Sequence, residues 1–234
     1  MAHDLLSIGL NTELAPDVDV MMIPGYDTYD RTFGTTADSV IKYAGPYIEA
    51  MQGHGLIATM KHYPGGLGDT PYDAHDILPT DNRSRDQIYA TELAPYETFI
   101  NSPNPLMRPA MIMSTDVLMP AIDPKMPAEL SHIFMIDILR KEFGYDGVVL
   151  TDALYMGGIS ARWSEPEAAV LAIQAGNDMI LSPMGSARTA AVIEALKQAL
   201  HDGRLSMARV NEAVTRIIAL KMQYHLMPVT LPQN

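Results

Sequence analysis

The sequence predicts an α/β fold with a parallel sheet, on three observations. Short continuous apolar runs end abruptly in polar residues, segments of helical period lie between them, and strand, loop and helix recur every roughly 30 to 55 residues, the βα pattern. The chain opens on what reads as a helix end, His3 to Ile8, and its first strand is Leu14 to Val20. Four further strands follow: Leu56 to Met60 running into Lys61-His62, Ala110 to Met113 into Ser114-Thr115-Asp116, Val148 to Thr151 into Asp152, and Met179 to Leu181 into Ser182-Pro183. Continuous, partly β-branched runs of this kind suit strands buried on both faces of a sheet.

The helices carry their own punctuation. Ser131 to Phe143 reads as a Ser-capped amphipathic helix with Ile133, Ile136, Ile138 and Leu139 inward and Gly144 just past its end. Glu165 to Ala175 has Ser164 as cap, Pro166 in its first turn and Gly176 as its stop. Ala190 to Leu200 stops near Gly203, and Ser206 to Tyr224 makes a last amphipathic helix.

Such a sheet is either open and doubly wound or closed into a barrel. No Gly-rich phosphate loop follows any strand, so the open nucleotide-binding sheet lacks its signature. Barrels carry functional groups at the C-terminal ends of several strands, where Lys61-His62, Asp116 and Asp152 all stand. The expectation is therefore a (β/α)8 TIM-barrel-like single domain over residues 1–234. Five strands can be counted where a closed barrel has eight, so the barrel is expected to be incomplete at its N-terminal end.

Composition narrows the function. Sixteen Lys and Arg stand against 28 Asp and Glu, a net charge of −12, and no basic run exceeds Arg140-Lys141, which argues against nucleic acid. No segment approaches a membrane span or a signal peptide. The absence of cysteine removes disulfides, thiolate metal sites and a cysteine nucleophile, and leaves the compartment, cytoplasmic or secreted, open. The 17 methionines read as gap-filling core, and Trp163 reads as packing before it reads as a sugar platform.

The densest polar cluster runs from Lys61 to Asp76, and its glycines and prolines make it a loop. Asp73 and His75, one residue apart, allow a carboxylate to fix the imidazole tautomer for proton transfer; the plainer alternative is a polar turn in which Asp73 caps backbone amides. Asp69, Asp73, His75, Asp76 and Asp116 are also a hard-ligand set, but their spacing matches no standard metal loop, so metal ranks below proton transfer. Asp152 at a buried strand end is either used or caps the next helix. The plain alternative for Lys61 and His62 is an ion pair with a nearby carboxylate at their strand end, and Arg31 either clamps a substrate oxygen or pins a loop.

In order along the chain, Ala15-Pro16-Asp17-Val18-Asp19-Val20, Arg31-Thr32-Phe33-Gly34, Lys61-His62-Tyr63-Pro64-Gly65, Gly68-Asp69-Thr70, Asp73-Ala74-His75 with Leu78-Pro79, Pro120-Ala121-Ile122-Asp123, Leu139-Arg140, Phe143-Gly144-Tyr145-Asp146-Gly147-Val148-Val149 and Thr151-Asp152-Ala153-Leu154-Tyr155-Met156 resemble glycoside hydrolase family 3, especially its β-N-acetylglucosaminidases. The resemblance implies a retaining exo-glycosidase without metal or organic cofactor, acting on terminal N-acetylhexosamine of peptidoglycan- or chitin-derived fragments. It makes Asp152 the nucleophile, His75 the acid/base and Asp73 its orienter, and it places Lys61, His62, Arg31 and Asp19 where the sugar is bound. A glycosyl phosphorylase or β-glucosidase of the same family, an inactive sugar-binding fragment and a metal-dependent hydrolase are the alternatives. Three departures stand out. Pro64-Gly65-Gly66-Leu67-Gly68-Asp69 replaces Pro-Gly-His-Gly-Asp, Asp116 stands where relatives often have His, and the first two strands of the family would precede Met1. The resulting open edge is a surface through which a second copy could self-associate.

Overall fold

Four strands, β1 (Thr12–Glu13), β2 (Ile57–Tyr63), β3 (Met111–Ser114) and β4 (Val148–Leu150), pair side by side in chain order, every pair parallel. The computed structural model describes residues 1–23, 31–67, 70–181 and 185–227. A bridge from Leu150 to Met179 adds a fifth position beyond β4. The order never reverses, as in a singly wound barrel, whereas a doubly wound sheet places later strands on the far side of its first.

The strand expected over Leu14 to Val20 is not a ladder strand: β1 lies just before it at Thr12–Glu13, and the expected stretch keeps only a bridge at Asp17, since Pro16 has no N–H to give to the ladder. Pairing nonetheless continues around it: Thr59 N–H donates to the Ala15 carbonyl, Lys61 N–H to that of Pro16, and Val18 N–H to that of Lys61. The expected strand Met179 to Leu181 is likewise reduced to a bridge, with Thr151 N–H donating to the Met179 carbonyl.

Among the described residues there are eight α-helices, of which α2 packs on β2 and α8 on β4: α1 (Ala2–Ser7), α2 (Ala37–Gly53), α3 (Arg85–Ile88), α4 (Ala94–Ile100), α5 (Gly157–Ser160), α6 (Glu165–Ala175), α7 (Ser186–His201) and α8 (Met207–Gln223). Their ends follow the local chemistry. Thr36 and Ser39 form a capping box on α2, Ser164 caps α6 through the Glu167 N–H, and Ser206 caps α8 through the Arg209 N–H. The helix expected over Ser131 to Phe143 is wound as a π-helix at Ile133–Glu142. Its looser pitch turns Phe134, Met135, Ile138 and Leu139 inward and leaves Ile133 exposed, a correction to the face read from a 3.6-residue period.

Successive strand residues face opposite ways, and the core divides accordingly. Ala58, Met60, Ile112 and Val149 pack with Val40, Ala44 and Ile48 of α2 and with Phe99, Phe134 and Leu139. Ile57, Met111, Met113, Val148 and Leu150 share the other cluster with Leu220 and Ile217 of α8. Trp163 packs beside Leu154 and Ile159, as its core reading expects.

One end of the sheet is a structural anchor. Asp178, just before Met179, accepts from the Val149 N–H at 3.0 Å, from Arg140 at 2.7 Å and from Arg209 at 2.6 Å, with Arg216 at 3.3 Å. The chemistry-bearing residues gather at the opposite, C-terminal ends of the strands, as the barrel expectation required.

Candidate active site

Asp19 and His62 meet first, although 43 residues apart in sequence. The bridge between Asp17 and Lys61 lays the segment after Pro16 along the end of β2, bringing the Asp19 Oδ2 within 2.7 Å of the His62 Nδ1. Asp17 Oδ1 accepts the Asp19 N–H at 3.1 Å, and its Oδ2 is 3.9 Å from both His62 Nδ1 and the Arg31 guanidinium. Burial and the charge of Asp19 push the Asp17 carboxyl up to about 7. Burial alone would pull His62 down, but Asp19, Asp17 and Asp152 together outweigh it and hold the imidazole at about 9, cationic at neutral pH. Asp17 went unread as a site residue in the sequence; its one-residue spacing from Asp19 was the available signal.

Asp152 follows β4 by two residues, is half-buried, and accepts the Ala153 N–H on Oδ1 at 2.7 Å. It is near enough to contribute to the charge on His62. Capping the turn and facing the site are thus not exclusive. Lys61, half-buried in β2, and Arg31, exposed beside Asp17, border the same end of the sheet.

Asp73 and His75 form a pair of their own. The Asp73 Oδ1 lies 2.7 Å from His75 Nδ1 and accepts the His75 backbone N–H at 2.9 Å, so the carboxylate both caps the turn and orients the ring. The backbone hydrogen bond from His75, followed by its side chain, holds the Asp73 carboxyl below the usual carboxylate range. With Nδ1 facing the carboxylate, Nε2 is the nitrogen left for a reacting group. His75 is 71% exposed, and its position is fixed by backbone: Gly157 N–H donates to the His75 carbonyl at 2.8 Å and Gly158 N–H to that of Ala74 at 3.1 Å. Ala74 also packs against Ala153 and Met156. The loop that carries Asp73 and His75 is therefore pinned to the segment that begins at Asp152.

A second support lies under residues 64–67. Glu92 Oε2 accepts the Gly66 N–H at 2.8 Å, and Arg83 binds Glu92 at 2.7 Å and Asp81 at 2.6 Å. Gly65 and Gly66 have φ of +96° and +95°, a region that favours glycine, and a Cβ at Gly65 would also sit 2.5 Å from the Glu92 carboxylate and 2.9 Å from its Cβ. Removing the cation leaves two buried carboxylates unpaired, so Arg83→Met is expected to cost about 3–5 kcal/mol of stability, read from denaturant unfolding. Asp81, Arg83 and Glu92 were not singled out in the sequence, where they look like turn and helix-surface charges.

The rival metal set does not assemble among the described residues: Asp73 and His75 are exposed while Asp116 is buried, and Asp69 lies outside the described residues, as do Gly68, Ser182 and Pro183. The described group whose ligand atoms do converge, within 4.8 Å of one another, is Asp17, Asp19 and His62, where Asp19 already holds His62 directly. No described helix is long and apolar enough to cross a membrane.

The chain is 31% identical over 239 residues to beta-hexosaminidase A of Pseudoalteromonas piscicida, a match covering 94% of this chain and 39% of that protein. It is 33% identical over 198 residues to a beta-hexosaminidase of Tolumonas auensis, covering 84% of this chain and 57% of the relative. The solved structure of a glycoside hydrolase family 3 beta-N-acetylglucosaminidase from Paenibacillus sp. str. FPU-7 superposes with a TM-score of 0.90 at 36% identity, over 100% of this chain and 45% of that one. The chain thus spans well under two thirds of the length of these relatives. The N-terminal domain of glycosyl hydrolase family 3 matches residues 1–220, and the chain belongs to that family.

Proposed function

We propose that this chain carries the catalytic groups of a retaining exo-β-N-acetylglucosaminidase that removes terminal N-acetylhexosamine from peptidoglycan- or chitin-derived fragments. The observation that carries the reading is the 2.7 Å Asp73–His75 pair on a loop docked, through Gly157 and Gly158, onto the segment after Asp152. Relatives named as hexosaminidases support it.

In the first half-reaction an Asp152 oxygen bonds the anomeric carbon as the bond to the leaving oxygen breaks, and that oxygen takes the proton from His75. In the second, water bonds the same carbon, gives its proton to His75, and Asp152 leaves with its electron pair. Asp73 orients the ring throughout. Asp19 and His62, with Lys61 and Arg31, offer fixed donors and acceptors for sugar hydroxyls, which favour the transition state when they are set before the reaction begins.

The test is nitrophenol release from an aryl N-acetyl-β-glucosaminide, with proton NMR of the first sugar formed. The expected product is the β-anomer of N-acetylglucosamine, with the corresponding aryl β-glucoside turned over at least about tenfold more slowly. An α-anomer would overturn the retaining mechanism. Sugar 1-phosphate released in phosphate buffer would make the chain a phosphorylase instead.

A further inference from the structure

Two buried carboxyl groups lie close enough to Asp152 to feel its charge, and among the described residues neither forms an ion pair. Asp116, two residues past β3, and Glu129, in the 3-10 turn Ala128–Leu130, are both fully buried. Glu129 is held there by backbone, its N–H donating to the Thr115 carbonyl and its own carbonyl accepting from Asn177 at 2.7 Å. Among the described residues, Asp116 Oδ2 and both Glu129 oxygens make no hydrogen bond. The Asp152 backbone N–H lowers the Glu129 carboxyl by less than burial and the charges of Asp116 and Asp152 raise it. The packing around Asp116 is tight, since a Cβ on Gly158 would collide with its Oδ2.

We propose that Asp116 and Glu129 are positioning residues for the nucleophile: a buried pair that keeps its protons in the working enzyme, so that Asp152 is the only negative charge in that part of the site. This rests on the glycosidase reading above and adds to it a control on the second half-reaction.

An ionised carboxylate with no donor in a dry interior is far more costly than a neutral acid, so such groups keep their protons. Burial, then the charge of Asp152, moves the Asp116 carboxyl up to about 8, against smaller pulls from its own backbone N–H, from the Thr115 hydroxyl that donates to Oδ1 at 3.4 Å, and from His62. Burial, then Asp116 and Asp152, moves Glu129 well above the carboxylate range. The charged groups that act most on Asp116 are Asp152 at the end of β4 and His62 in β2, and those that act most on Glu129 are Asp116 and Asp152.

The consequence is asymmetric between the two half-reactions. Forming the glycosyl-enzyme removes the charge of Asp152, and hydrolysing it restores that charge. Ionisation of Asp116 therefore favours the first step and opposes the second. With an activated aryl glycoside, whose first step is fast, the loss falls on kcat rather than kcat/KM, and glycosyl-enzyme accumulates.

The experiment compares wild type with Asp116→Asn and Glu129→Gln, whose amides copy the size of the neutral acids and cannot ionise. One arm is thermal midpoint from pH 5 to 8.5. Wild type loses stability as pH rises from the unfolded value toward about 8, because the unfolded chain releases a proton that the folded chain keeps. The gain of each amide variant over wild type should therefore grow with pH; a difference constant in pH overturns the proton-holding pair. The second arm is kcat, kcat/KM and intact mass on the aryl N-acetyl-β-glucosaminide. Wild-type kcat should fall about tenfold one pH unit above the Asp116 transition, with kcat/KM less affected and the glycosylated mass visible. Asp116→Asn should keep kcat within about threefold at pH 6 and lose that alkaline fall. A fall retained in Asp116→Asn assigns it to His62, and a loss beyond about 100-fold at pH 6 shows that an ionised Asp116 is needed; either overturns the proposal. No sugar release from wild type at any pH would remove the glycosidase reading and the kinetic role together, while the midpoints would still decide the protonation.

Discussion

Asp152→Asn is expected to lower kcat/KM for any N-acetyl-β-glucosaminide by about 10⁴-fold or more while leaving the folded structure in place. The amide oxygen can still accept the Ala153 N–H that Asp152 Oδ1 accepts at 2.7 Å, so the turn after β4 keeps its local bond. What the amide cannot do is carry the negative charge that becomes the ester bond, and without that bond the two-step route is closed. The check pairs steady-state kinetics with intact mass: wild type mixed with an activated substrate should show the glycosylated mass, and the variant should not. Retained turnover would move the nucleophile elsewhere. Asp116 is a poor substitute, being fully buried.

How much of this could be read beforehand depends on how local the cause is. The runs at Leu56, Ala110 and Val148 became β2, β3 and β4 because continuous apolar residues have few alternatives to a strand covered on both faces. The first strand was read at Leu14 to Val20 although the ladder strand is Thr12–Glu13, because the apolar residues after Pro16 look like a strand while the proline interrupts the ladder there. α2 and the helical stretch from Arg85 to Ile100 went unread because Gly45-Pro46 and Pro95 look like breaks, and because Tyr89–Leu93 is wound as a π-helix whose period differs from 3.6. Tertiary packing overrides those local preferences: Val40, Ala44 and Ile48 supply the buried face of α2.

The site divides in the same way. Asp73 and His75 were legible because their pairing is made within one turn, so spacing determines contact. Asp19 and His62 could be placed near sugar only through the family resemblance, since their contact depends on how residues 15–18 lie along β2. Glu129 and Glu92 were invisible: a single acidic residue in a polar turn or a helix reads as solvated, and only the assembled fold buries it. Asp116 was visible as a departure from its relatives, but its companion Glu129 was not.

His75→Ala should separate substrates by their leaving groups. A general acid contributes about 10²–10⁴-fold where the departing oxygen is a sugar alkoxide and far less where it is a nitrophenolate, which leaves without a proton. The expected loss in kcat/KM is therefore about 10³-fold on an N-acetylglucosamine disaccharide and about tenfold or less on the nitrophenyl glycoside. Asp73→Ala should shift the same ratio in the same direction by a smaller factor, since it frees Nδ1 and the turn rather than removing the ring. The geometry makes this a clean comparison: His75 is 71% exposed and is tied to Gly157 by its backbone carbonyl, so truncating the ring removes no core contact and leaves the loop docked. Equal losses on both substrates would mean that the ring serves binding or loop structure, and the proton would then have to come from another group. A ratio that widens with leaving-group basicity is what only a proton donor to the departing oxygen produces.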